Sequence, residues 1–278
     1  RGCLRLSSTI QRGSSQTSPT SSVEMVTISG DVLNLLIASW VFPFVRIMAM
    51  LSTAPIYDQR SLPIQVRIGL SAIIAFLLAQ TLPQPVPIND PMTVAIIAQQ
   101  ILIGVALGFS MKIVFAAFQF AGDIIGLQMG LAFAQFVDPE KGSVSPLIGS
   151  FLTILASLIF LSMEGHLMLI DAVTKSFDVV PIGSPSSGVT FENIVISGGM
   201  LFMLGLQIAL PIVGALLVAN LVLGILTKAS PQMNLMSVGF SLTIAMGVLV
   251  LSFSVPYMVS TFSEALTRIA SVAILRAQ

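Results

Sequence analysis

An apolar run with no helix breaker extends from Met92 to Val137, more than twice the roughly 20 residues a helix needs to cross a bilayer. It cannot be one simple span. Either the chain turns back near Lys112, or a single long helix rising about 1.5 Å per residue projects beyond the membrane. The rest of the chain is of the same character. Of its 278 residues 55% are hydrophobic and only 9% charged, where soluble domains carry about 25% charged residues, and the mean hydropathy is +0.98. These values predict an all-α, polytopic membrane protein built of broken helices and helical hairpins.

Turn-forming segments divide the remainder into further blocks. Val32 to Leu51 contains Pro43 and Arg46; a buried arginine is costly, so Arg46 should face a partner or a wet interior. Ile64 to Leu82 follows the loop Ala54 to Pro63 and carries Arg67 near its start. The Pro-rich break from Pro83 to Pro91 has no cation, so the Arg60 and Arg67 side is expected to be cytoplasmic. Leu147 to Met163 leads through Glu164-Gly165-His166 into an amphipathic segment ending at Phe177. Pro211 and Gly214 within the block from Ile194 to Leu226 predict a kink or a hairpin. A last run, Leu235 to Val255, passes Pro256 and ends in an amphipathic tail. Residues 1–24, rich in Ser, Thr and Arg, are expected to be a disordered extension, with 25–278 forming one membrane domain. Val32 to Leu51 is long enough to stay in the membrane and has no small-residue cleavage site, so a cleaved signal is not expected.

Several classes of chemistry find no support. The formal net charge is zero, which gives no footprint for nucleic acid. A single Cys (Cys3) and a single His (His166) rule out an intrachain disulfide and disfavour a Cys/His metal site. No phosphate-binding loop, Ser/His/Asp grouping or zinc-protease motif occurs, and the acidic residues are dispersed. Neither an enzyme nor a cofactor is expected. Secondary transport is the rival class, with Gln99, Gln100, Gln119 and Asn220 as polar candidates, but no internal repeat organises them.

Glycines supply a more specific pattern. Gly104 and Gly108 form one small-xxx-small pair, and Gly122, Gly126 and Gly130 recur every fourth residue, as on a helix face where a second backbone comes close. Met129, Leu131, Phe133 and Phe136 follow as a bulky cluster, before Asp138-Pro139 interrupts the helix. Such a cluster suits either ordinary helix packing or a plug. Arg46 and Asp123 are candidates for a buried charge pair, with Lys112 an equal alternative partner for Asp123.

The order of segments resembles the FliR family of flagellar export-gate proteins and their virulence counterparts. The resemblance rests on Arg46 to Met50, Ala54-Pro55, Leu62 to Arg67, Gly122-Asp123, Gln128-Met129-Gly130, Asp138-Pro139, Gly165-His166 and Ser176-Phe177. It continues through Leu210-Pro211, Asn220, Leu223-Gly224, Pro231-Gln232-Met233-Asn234 and Gly239-Phe240. It implies one copy of this chain in a helical export-gate complex with FliP-like and FliQ-like membrane subunits and an FlhB-like switch protein. Unfolded substrates would pass through that complex, in the bacterial inner membrane at the flagellar basal body. The resemblance also implies a channel-plugging loop, matched here by Met129, Gly130, Phe133 and Phe136. The segment from Pro231 to Gly239 favours the flagellar over the virulence branch.

Overall fold

The computed structural model describes residues 30–57, 62–82, 92–131, 147–183, 191–229 and 235–275. Every regular element among them is a helix: α1 (Gly30–Thr53), α2 (Ile64–Ala79), α3 (Thr93–Gln128), α4 (Leu147–Ser162), α5 (Gly165–Val179), α6 (Phe191–Ala229) and α7 (Leu235–Leu275). The protein is a polytopic helical membrane protein. Three helices, α3, α6 and α7, are long and apolar enough to cross a bilayer, and a fourth crossing arises if the pair α4 and α5, bent by 70°, counts as one.

The long apolar run does not turn back at Lys112. It is one helix of 36 residues, about 54 Å long at 1.5 Å per residue. α3 is apolar on most of its circumference, and a helix of that kind is stable only when surrounded. It packs against α1, α4, α6 and α7. α1 runs alongside it in the same direction, with Ala49 and Met50 at Gly104 and Thr53 at Gly108. The α4–α5 pair runs the other way: Gly149 lies at Gly122 and Phe160 at Phe115. α7 is also antiparallel, with Gly247 at Met129 and Phe262 at Phe118.

The centre of the core is aromatic. Phe115 stands edge-on to Phe160 and Phe262 at 5.8 and 5.6 Å between centroids, and Phe118 meets Phe262 at 5.1 Å. These edge-to-face contacts each add about 0.5–1.5 kcal/mol beyond burial. They join α3, α4 and α7 at one level.

Two sequence expectations are corrected. The block around Pro211 and Gly214 is not a hairpin; α6 continues through Pro211 from Phe191 to Ala229. Ile208, Ala209, Ile212 and Leu216 are buried on both sides of the proline, so packing of that face carries the helix across the missing hydrogen bond. The glycine stripe also stops short, because α3 ends at Gln128 and Gly130 is not on the helix.

Candidate functional site

The end of α3 is a Schellman turn. Leu131 N–H donates to Gly126 O at 3.1 Å and Gly130 N–H to Leu127 O at 3.0 Å, the paired bonds that satisfy the last carbonyls of a helix. The turn requires Gly130 to take φ 81°, which costs a residue with a Cβ about 1–2 kcal/mol. Met129, just before it, is fully buried. Its side chain lies against Gly247 of α7, and its carbonyl accepts a hydrogen bond from Thr243 Oγ1 at 3.3 Å. Met129 and Gly130 therefore fix where the chain leaves α3. Phe133, Phe136 and Asp138-Pro139 lie outside the described residues, as do Pro231, Gln232, Met233 and Asn234.

The helix glycines divide between two neighbours. A Cβ on Gly104 would lie 2.8 Å from Ala49 Cβ, and one on Gly108 would lie 2.6 Å from Met50 O, both in α1. A Cβ on Gly122 would meet Gly149 Cα of α4 at 2.6 Å, whereas one on Gly126 would make ordinary contact with Ile148 at 3.6 Å. Three of the four sit where backbones touch; Gly126 has room.

Arg46 is fully buried, and its partners are neutral. Nε donates to Gln100 Oε1 at 2.7 Å, one terminal nitrogen to Ser176 O at 2.9 Å and Ser176 Oγ at 3.0 Å, and the other to Val180 O at 3.0 Å. Its guanidinium carbon stands 3.9 Å from the centre of the Phe177 ring. Ser176 and Val180 lie at the C-terminal turn of α5, whose carbonyls carry partial negative charge; Ser176 O accepts the Val180 N–H as well, at 3.0 Å. The planar fork of Arg matches several such acceptors at once. Arg46 is thus a cap supplied to α5 by α1. The expected pair with Asp123 does not form, because Asp123 lies 23 residues beyond Gln100 on α3, about 34 Å along the helix.

Lys112 instead faces a surface groove between α3 and α4, whose lining does not include Asp123. A cavity of about 220 Å³ opens there, lined by Lys112, Ala116 and Gln119 of α3 and Thr153 and Ser157 of α4. Asp123 Oδ1 is buried against Gly149 and has no hydrogen-bond partner. The transporter candidates do not converge: Gln100 is held by Arg46, and Gln119 lies 19 residues further along α3. Among the described residues no group of three His, Cys, Asp or Glu could hold a metal ion. His166 lies in the first turn of α5, with Nδ1 buried and unpartnered.

Comparison with known proteins places this helical architecture in a family. The family model of bacterial export proteins, family 1, matches residues 37–269. The flagellar biosynthetic protein FliR of Pectobacterium carotovorum is 42% identical over 238 residues, covering 85% of this chain and 90% of the relative. FliR of Escherichia coli K12 is 41% identical over 80% of this chain and 86% of the relative, and that of Bacillus subtilis is 31% identical over 78% and 85%. The match runs from α1 almost to the end of α7, and the chain belongs to the FliR family of bacterial export proteins.

Proposed function

We infer that this chain is a subunit of the flagellar type III protein export gate and does no bond chemistry itself. The observation that carries this reading is the family match across residues 37–269, supported by relatives named as flagellar biosynthetic proteins at up to 42% identity. In this reading residues 25–278 form one membrane domain that joins FliP-like and FliQ-like subunits, and an FlhB-like protein, in the bacterial inner membrane. Unfolded flagellar proteins pass through the assembly.

The loop leaving α3 is the plug. Met129 and Gly130 set its starting point, and Phe133 and Phe136 supply its apolar surface. Apolar packing excludes water and ions yet has no directional bonds to break, so a threading polypeptide can displace it. Burying one such side chain stabilises by roughly 1.5–3 kcal/mol, so two hold a passage shut without locking it.

Co-expression with FliP-like and FliQ-like subunits, followed by mass measurement of the purified complex, tests membership. A monomer that binds neither would refute the assignment. Replacing Phe133 and Phe136 together by Ala is expected to raise ion conductance of the assembled complex in planar bilayers. Unchanged conductance with intact assembly would remove the plug role from these two residues.

A further inference from the structure

We propose that α6 and α7, past the level of their prolines, form a hinged arm pinned by one hydrogen bond, from the Tyr257 hydroxyl of α7 to the Gln207 carbonyl of α6. The proposal goes beyond the export-gate reading and does not depend on it.

A proline inside a helix removes the N–H that would bond the carbonyl four residues earlier. For Pro211 of α6 that carbonyl is Gln207 O. Gln207, Pro211 and Tyr257 are all exposed and lie within the two apolar stretches Gly198–Leu226 and Ser241–Ile269. Hydrocarbon there offers no donor, so a bare carbonyl is costly. Tyr257 O–H donates to Gln207 O at 3.3 Å. The residue next to Pro256 of α7 thus replaces the bond lost at Pro211 of α6, and both prolines stand within about one turn of a single interhelical bond.

Both helices are weak at this level. Gly214, about one turn past Pro211, has nothing within 4 Å of where a Cβ would stand, and glycine costs a helix about 1 kcal/mol relative to Ala. In α7, just before Pro256, Ser254 Oγ donates back to Val250 O at 2.9 Å, a bond of the kind that bends helices. Prolines, glycines and side chains that enter the hydrogen-bond ladder are where helices kink.

Packing changes close to the same level. Ile208 and Ile212 of α6 and Met258, Phe262 and Leu266 of α7 are fully buried. Among the described residues no side chain of α6 after Leu216, and none of α7 before Gly247, is buried. α6 nevertheless continues from Leu216 to Ala229, about 20 Å, with Val218, Leu221 and Ile225 exposed. Segments with so few buried contacts move at low free-energy cost. At its base the arm touches the end of α3, where Thr243 and Gly247 meet Met129, so its position is felt at the turn where the chain leaves that helix.

The test is pulsed electron spin resonance on the full-length protein in lipid nanodiscs, in a Cys3→Ser background because Cys3 is the chain's one thiol. Spin labels on cysteines placed at Leu158 of α4 and Ile225 of the arm, both exposed, report the arm. Labels at Leu158 and at Met203, which precedes the hinge and is also exposed, report the core. Tyr257→Phe is expected to widen the Leu158–Ile225 distance distribution about two-fold and to leave the Leu158–Met203 distribution unchanged. Adding Pro211→Ala to Tyr257→Phe returns an N–H to Gln207 O and should restore the parent width. An unchanged width in Tyr257→Phe, equal widening of both pairs, or a double variant as wide as the single one would overturn the proposal.

Discussion

Arg46 makes four buried hydrogen bonds, all to groups distant in sequence. Deleting it strands Gln100 Oε1 and the carbonyl of Val180, each at roughly 1–3 kcal/mol, while Ser176 O keeps the N–H of Val180. Arg46→Ala is therefore expected to lower stability by several kcal/mol, read as loss of the monodisperse peak after heating in detergent. Arg46→Lys should recover only part of it, because one ammonium cannot reach three separate acceptors. A lysine variant as stable as the parent would show that charge alone matters. Gly130 offers a contrasting case at the same scale: Gly130→Ala meets a conformational cost of about 1–2 kcal/mol at φ 81°. Gly126→Ala, one helical turn earlier, where a Cβ would make ordinary contact with Ile148, should be neutral or gain up to about 1 kcal/mol of helix propensity. Thermal unfolding of the two variants distinguishes a turn glycine from a helix glycine.

Among the elements, the elbow between α4 and α5 is the most constrained. Glu164 adopts φ 56°, the left-handed region, and bonds of Leu167 and Met168 N–H to its carbonyl open α5. Gly165 follows with the Phe160 ring pressed against it, leaving no room for a Cβ. The 70° bend thus stores a strained residue and holds it by packing on either side, with Arg46 fixing the far end of α5. Glu164→Gly should stabilise the fold by about 1 kcal/mol by removing that strain, whereas Gly165→Ala should destabilise it because Phe160 must leave its place in the aromatic core. Equal effects of the two substitutions in thermal unfolding would contradict this account of the elbow. The crossing of α3 with α4 behaves similarly. Gly122 meets the backbone of Gly149, so Gly122→Ala must push the helices apart, unlike Gly126→Ala on the same stripe.

For the molecule as a whole, α3 is the axis and the other helices are arranged by it. α1, α4, α6 and α7 all pack against it. Large apolar side chains stay open elsewhere, Phe253 of α7 and Val218 and Leu221 of α6 among them, as expected of a chain whose surroundings are lipid and other subunits.

Composition and hydropathy alone determined that this chain is helical and crosses a membrane, because twenty-residue apolar runs have few other stable forms. The boundary between α4 and α5 was legible too, since Glu164-Gly165 interrupts two apolar segments, but the 70° bend there was not. The partner of Arg46 was not. Ser176 is 130 residues away, and the acceptors that matter are backbone carbonyls at a helix end, which any sequence supplies and none advertises. Gly130 likewise reads as one more member of a four-residue repeat, and only the closing of α3 onto α7 turns it from a packing glycine into a turn. Tertiary structure decided these points because they depend on which helix end meets which helix face, a matter of long-range geometry rather than local residue pattern.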